Sequence, residues 1–376
     1  MNLRPYQEPA AAHLAAHRTR GARALVVCPA GGGKTLIAAG ALARAADPWD
    51  RIGWACNTRE QVEQGQTALA RCGVEAAWVR CVAGLRREDV EQIDILVLDE
   101  CHHLMADTWH TLAYFCPGAV WGLTATPRTG DPDRDYAFIQ FWRDQIYTVP
   151  RAEVMAGGHL APGIVRILDL ETPGYFDPML RQAAELESLK MRRRYPGILL
   201  EECRSRALWR ATLDLLIENP ARNTAVIQTA RSEIGAGQSV LILVAEIEHG
   251  QRLAAEIDGA LVAHSRMGVK ARRAAIAAFR EGTLRCLVAT SLADEGLDVP
   301  RASILILACP GRSGAKLEQR AGRVMRPHQG KRCGVVYDFA DQGASMARAQ
   351  HRARLSIYRR LGYTIEHHDQ LPLCAA

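Results

Sequence analysis

Lys34 and Thr35 close a glycine loop, Pro29-Ala30-Gly31-Gly32-Gly33, that follows the apolar run Ala24 to Cys28 directly. A strand ending in such a loop is a phosphate cradle. Glycines let backbone N–H groups approach oxygen atoms closely, the lysine neutralises charge, and the threonine hydroxyl can hold Mg²⁺. Cys28 stands where the usual P-loop pattern has a glycine, so the strict expression fails by one residue. A second apolar run, Ile95 to Leu98, ends in Asp99-Glu100. One carboxylate can reach Mg²⁺ and its neighbour can polarise a water, the two roles that hydrolysis of a phosphoanhydride needs. Alone, the pair also reads as an acidic helix cap; downstream of Lys34-Thr35 the hydrolytic reading gains weight. A third group, Gln319-Arg320-Ala321-Gly322-Arg323 with Arg326, lies far along the chain. Arg323 and Arg326 are three apart and would share a helix face. An arginine set against a γ-phosphate is worth about 10³–10⁵ in rate, although isolated arginines more often form a solvated face.

Strands must deliver these groups to one edge. Ala24 to Cys28, Ile52 to Cys56, Ile95 to Leu98 and Val120 to Leu123 are strand candidates in the first part of the chain. Val240 to Val244, Leu261 to Ala263, Leu284 to Ala289, Ser303 to Leu307 and Gly334 to Phe339 are candidates in the second. Runs apolar on both faces and separated by helical patterns predict parallel sheets covered on both sides, an α/β fold in two parts. Ligands of such sheets bind beyond the carboxyl ends of the strands, where Asp99 and Glu100 fall. The pattern changes between about Pro150 and Ser239, with one possible strand, Gly163 to Leu170, and helical stretches after it. The expected division is residues 1–150, a mainly helical connector at 151–238, and 239–376.

A chain of 376 residues is comfortable for two domains. Lys+Arg of 47 against Asp+Glu of 41 gives a net charge of +6, mildly basic and compatible with a phosphate-rich partner. Eleven cysteines, an odd number with no C-x-x-C, read as reduced intracellular thiols rather than a disulfide framework. Cys101-His102-His103 has no second ligand cluster at zinc spacing. The start of the chain lacks a signal-peptide core, and no apolar run approaches the ~20 residues of a membrane helix, so a soluble, cytoplasmic protein without membrane contact is expected.

The motifs together resemble superfamily 2 helicases and translocases of the two-RecA-like-domain kind. Pro29 to Thr35 resembles motif I, Asp99 to His102 a DECH form of motif II, and Thr124-Ala125-Thr126-Pro127 motif III. Arg4-Pro5-Tyr6-Gln7 resembles the upstream Arg-x-Tyr-Gln element, and Asn57-Thr58-Arg59-Glu60-Gln61 resembles motif Ia. Ala289 to Asp298 resembles motif V, and Gln319 to Arg326 motif VI. The resemblance covers Arg4 to about Phe339. It implies ATP and Mg²⁺ as cofactors. Arg4, Gln7, Pro29, Ala30, Gly31, Gly32, Gly33, Lys34, Thr35, Gly296 and Asp298 would hold the nucleotide, with Thr35 and Asp99 toward the metal. Lys34, Asp99, Glu100, Gln319, Arg323 and Arg326 would be catalytic, the arginines acting when the two halves close. His102, Thr124 and Thr126 would couple turnover to strand movement, and Thr58, Arg59 and Thr290 would contact nucleic acid.

The expected activity is an ATP-dependent nucleic-acid helicase or translocase. DNA is favoured because motif II is not the DEAD form, and motifs V and VI look most like the XPB-like and phage UvsW-like DNA enzymes. An RNA helicase and an ATP-switched binding or annealing scaffold are the alternatives. Aromatic content of 6% with no aromatic series predicts backbone rather than base contacts. No damage-recognition, wedge or nuclease domain is visible, so a protein partner for targeting is expected.

Overall fold

The computed structural model describes residues 2–127, 131–143, 145–170, 176–195, 197–290, 299–309, 314–341 and 343–368. The chain divides into two compact units, Met1–Leu160 and Ala161–Ala376. Among the described residues no helix is long and apolar enough to cross a membrane.

In the first unit β1 (Arg23–Val27), β2 (Ile52–Cys56), β3 (Trp78–Cys81), β4 (Ile95–Asp99), β5 (Ala119–Thr124) and β6 (Ile146–Thr148) form one sheet in the order β3-β2-β4-β5-β1-β6. Every pairing is parallel. Parallel neighbours require crossover connections, and α2 (Lys34–Ala45), α3 (Arg59–Cys72), α4 (Asp107–Phe115) and α5 (Pro132–Trp142) lie in them, while α1 (Gln7–Ala16) precedes β1 and α6 (Arg151–Ala156) follows β6. β2, β4 and β5 are buried along their whole length, as their unbroken apolar runs require. Leu25, Leu96, Leu98, Trp109, Phe138 and Trp142 belong to the core on one face of the sheet.

The second unit is a seven-stranded sheet in the order β13-β7-β12-β11-β8-β10-β9, again parallel throughout. Its strands are β7 (Gly163–Leu170), β8 (Val240–Leu243), β9 (Leu261–Ala263), β10 (Cys286–Ala289), β11 (Ile304–Leu307), β12 (Gly334–Asp341) and β13 (Thr364–His368). Its helices are α7 (Phe176–Arg194), α8 (Leu200–Glu218), α9 (Pro220–Gly235), α10 (Ile247–Ala255), α11 (Val269–Glu281), α12 (Gly314–Val324) and α13 (Ser345–Arg360). The two α/β sheets bear out the fold class expected from the apolar runs.

The stretch 151–238 is distributed between the units. α6 lies in the first. β7 lies between β12 and β13 in the second sheet, because buried Val165 and Ile167 on an apolar strand demand neighbours on both edges. Val226 and Ala230 of α9 enter the same core as Val240 and Ile304. Three edge or near-edge strands, β3, β6 and β13, were not expected from the sequence.

Candidate functional site

The glycine loop leaves β1 and enters α2 through Gly33, whose φ of 82° and ψ of 41° are left-handed. Gly31 is also at positive φ, 90°. Side chains are excluded on both flanks of the turn. A Cβ on Gly32 would sit 2.5 Å from Cys28 Sγ, and one on Gly33 would sit 2.5 Å from Gln7 Nε2. Among the described residues, the N–H groups of Gly31, Gly33, Lys34 and Thr35 pair with no backbone carbonyl. These are the orphan donors of a helix N-terminus, the arrangement that receives phosphate. Cys28, at the position where the strict pattern has glycine, is buried, and burial pushes its thiol up to about 11, so it packs as a neutral side chain.

The Arg-x-Tyr-Gln segment clamps this loop from behind. Gln7 Nε2 donates to the Gly32 carbonyl at 2.9 Å, and its Oε1 accepts from Arg4 N at 3.0 Å. The Tyr6 hydroxyl donates to the same Gly32 carbonyl at 3.1 Å and accepts from the Arg4 guanidinium at 3.0 Å. Tyr6 was not singled out from the sequence, although it lies inside the motif that carried Arg4 and Gln7. Its adjacency to Gln7 is the signal that could have found it.

β4 delivers Asp99, and the chain then turns sharply at Glu100, one of two described non-glycine residues with positive φ (59°). That turn puts Glu100 Oε1 3.2 Å from Lys34 Nζ and Oε2 3.5 Å from His102 Nδ1. The Thr124 hydroxyl, at the end of β5, lies 3.4 Å from the same Nδ1. It donates to the Thr126 carbonyl at 3.2 Å and accepts from Thr126 N at 3.0 Å. With its hydroxyl proton so committed, Thr124 faces His102 as an acceptor, and Nδ1 is the protonated nitrogen. A continuous line therefore runs Lys34–Glu100–His102–Thr124–Thr126. Burial, followed by the charge of Glu100, pushes Asp99 above the usual carboxylate range. For Glu100 burial acts upward too, but Lys34 and then His102 outweigh it and hold the group low. Burial alone would depress Lys34; Glu100 and Asp99 outweigh it and raise it. Among the described residues no three His, Cys, Asp or Glu side chains gather as a cation cage. A Mg²⁺ ion here would be shared with nucleotide oxygens, its usual mode of binding.

In the second unit Gln319, Arg320 and Arg323 lie on α12, with Arg320 and Arg323 buried. Arg326 does not continue that helix, contrary to the expected shared face. α12 ends at Val324, and Arg326 precedes Pro327, which disfavours helical geometry in the residue before it. Thr58 is the N-cap of α3, its hydroxyl accepting from Gln61 N at 3.3 Å while Gln61 Oε1 accepts from Asn57 N and Thr58 N. Arg59 is exposed at the first turn, and Thr290, just past β10, is buried. Gly296 and Asp298 lie outside the described residues.

The fold and this site define a class: two RecA-like α/β units of parallel sheets, the first carrying a P-loop-like phosphate cradle. Residues 222–328 match the family described as Helicase conserved C-terminal domain, and residues 82–129 match Type III restriction enzyme, res subunit. The DNA 3'-5' helicase XPB of Mycobacterium tuberculosis is 25% identical over 399 residues, covering 98% of this chain and 66% of that protein. Helicase 22 of a Sulfolobus islandicus filamentous virus is 26% identical over 258 residues, 67% of this chain and 43% of the viral protein. The Pyrococcus furiosus Hef helicase domain superposes with a TM-score of 0.53 at 17% identity, over 93% of this chain and 98% of that domain. Over these spans the chain is similar to helicases. It spans about half the length of the curated relatives it matches first.

Proposed function

We propose that this chain is an ATP-dependent motor on nucleic acid, a helicase or translocase, with DNA as its substrate. The observation that carries the reading is the line from Lys34 through Glu100 and His102 to Thr124, set beside a glycine loop with unpaired N–H groups. Arg4, Gln7, Pro29, Ala30 and Gly31 to Thr35 would hold ATP, and Thr35 and Asp99 would face its Mg²⁺. When bound, the metal ion supplies positive charge to the phosphate oxygens. The residues themselves divide the remaining work. Orphan N–H groups of the loop orient the phosphates, Lys34 neutralises them, and Glu100, held ionised, takes a proton from the attacking water.

His102 and Thr124 would carry the state of Glu100 to Thr126. Gln319, Arg323 and Arg326 would supply the charge of the second unit, with Gly296 and Asp298 toward the nucleotide. Thr58, Arg59 and Thr290 would act on the nucleic-acid backbone. For Thr58 this means the free O–H hydrogen and the first-turn N–H groups, because its oxygen caps α3. An ATP-binding N-terminal unit, a C-terminal helicase unit that takes in most of the expected connector, intracellular action and a targeting partner belong to the same reading. DNA is favoured because the Mycobacterium tuberculosis relative is a DNA 3'-5' helicase.

The test is the steady-state ATPase rate with Mg²⁺ alone, then with single-stranded DNA, forked DNA and RNA, beside a Lys34→Ala protein. Stimulation by DNA that fades with added salt and vanishes in the variant is expected. Stimulation by RNA alone would replace the substrate and keep the motor. Hydrolysis independent of Lys34 would sink the reading.

A further inference from the structure

Three successive carbonyls leave the end of α12, and each meets a different part of the chain. The Val324 carbonyl lies so close to Gly334 that a Cβ there would collide with it. The Met325 carbonyl accepts from Ala161 N at 2.7 Å. The Arg326 carbonyl accepts from Lys331 Nζ at 2.8 Å. Lys331 Nζ also donates to the Pro300 carbonyl at 3.0 Å and to the Ala302 carbonyl at 2.6 Å. An ammonium has three N–H donors, and here each has its own carbonyl. Helix ends leave such carbonyls without intrahelical partners, and a cation near them is favoured by the helix dipole.

The three acceptors come from two motifs. Arg326 is the last residue of the Gln319 to Arg326 segment. Pro300 and Ala302 follow the Ala289 to Asp298 segment within a few residues. Packing does not explain a charge at this place. Burial, and then the like charge of Arg326, push the Lys331 ammonium down to about 7. A methionine would fill the same space without that desolvation cost. What an apolar side chain cannot do is bind three carbonyls at once.

We propose that Lys331 is a positioning residue for ATP hydrolysis, holding the Arg326 backbone to the exit of the preceding motif so that the arginines stand at a fixed height and angle. The inference rests on the ATPase reading above. Lys331 touches no reacting atom in it; it acts through Arg326.

The experiment compares Lys331→Met, Lys331→Gln and Lys331→Ala in the full chain with the parent, at saturating DNA. kcat is expected to fall at least tenfold in Lys331→Met and less in Lys331→Gln, which keeps two N–H donors. KM for ATP and the affinity for a fluorescent ADP analogue should stay within threefold, because the glycine loop belongs to the other unit. Ethylammonium chloride should restore part of the rate to Lys331→Ala, while tetramethylammonium chloride, charged but lacking N–H donors, should not. Unchanged kcat in Lys331→Met would overturn the proposal. So would equal rescue by the two salts, or a loss of rate matched by loss of ADP affinity and thermal stability. Parent protein that hydrolyses ATP independently of Lys34 would instead remove the ATPase reading, so the two failures are distinguishable.

Discussion

Glu100 shows how much one residue is made to do. Its left-handed backbone costs on the order of 1 kcal/mol for a residue with a Cβ, and that strain aims its two oxygens at Lys34 and His102. The geometry separates two functions that mutation can divide. Glu100→Gln keeps the shape of the side chain and removes the base, so ADP binding should persist while kcat falls by about 10²–10⁴. Lys34→Met should abolish nucleotide binding as well. Both single changes leave a largely buried charge without its counter-charge, a cost that the double change avoids. Urea titrations of the four proteins should therefore give a coupling of about 1–3 kcal/mol, with the double variant losing less than the sum of the singles. Strict additivity would mean that the 3.2 Å pair contributes nothing to the first unit.

At the scale of elements, the junction of α9, α10 and the end of β11 contains a histidine that the fold keeps neutral. Asn223 Nδ2 donates to the Ile217 carbonyl at 2.9 Å, which turns its Oδ1 toward His249 Nε2, also at 2.9 Å. Nε2 therefore carries the proton, and Nδ1 faces the Cys309 thiol at 3.7 Å. Burial, then Arg252 and Arg222, lower this imidazole to about 4, with Glu218 opposing them, while burial raises the thiol to about 11. A thiol and an imidazole pushed apart in this way form no ion pair, so the cluster is structural. The folded pKa lies below the unfolded value. Between the two the unfolded chain binds more protons, and stability present above about pH 6.5 is lost as the pH falls toward 4. The loss should reach about 3 kcal/mol, and the difference in pH dependence between parent and His249→Gln isolates it from other groups. A variant that tracks the parent across that window would refute the assignment. Elements like β4 and β5 were legible because burial on both faces leaves an unbroken apolar run. β3 (Trp-Val-Arg-Cys) and β13 (Thr-Ile-Glu-His-His) are half-exposed and broken by charged or polar residues, so no run marks them. The place of β7 in the second sheet depends on pairing with β12 and β13, which local sequence does not encode. Lys34, Asp99 and Glu100 were legible for a related reason: strand ends announce them. Tyr6 and Lys331 act on backbone carbonyls, and a carbonyl has no residue type to read.

For the whole molecule, the division at Leu160 has thermodynamic content. The cluster around Leu25, Leu98 and Trp142 and the cluster around Val226, Val240 and Ile304 share no residue, and each unit closes its own sheet. Two cores of this kind do not oblige the chain to unfold in a single step, and a single unfolding free energy would then be undefined. The tryptophans allow the units to be watched separately. Trp49, Trp54, Trp78, Trp109, Trp121 and Trp142 lie in the first unit and only Trp209 in the second. Tryptophan fluorescence therefore follows the first unit, while far-ultraviolet circular dichroism follows both. A ligand held by the glycine loop stabilises only the native form of the unit that binds it, by about 2.7 kcal/mol at one hundred times its dissociation constant. Mg·ADP should accordingly move the fluorescence midpoint in urea to higher concentration and leave a second dichroism phase where it was. Lys34→Ala should remove the shift without displacing that second phase. If ADP moved both phases together, the units would be coupled strongly enough to unfold as one. If it moved only the phase that fluorescence does not see, the nucleotide site would have been assigned to the wrong unit.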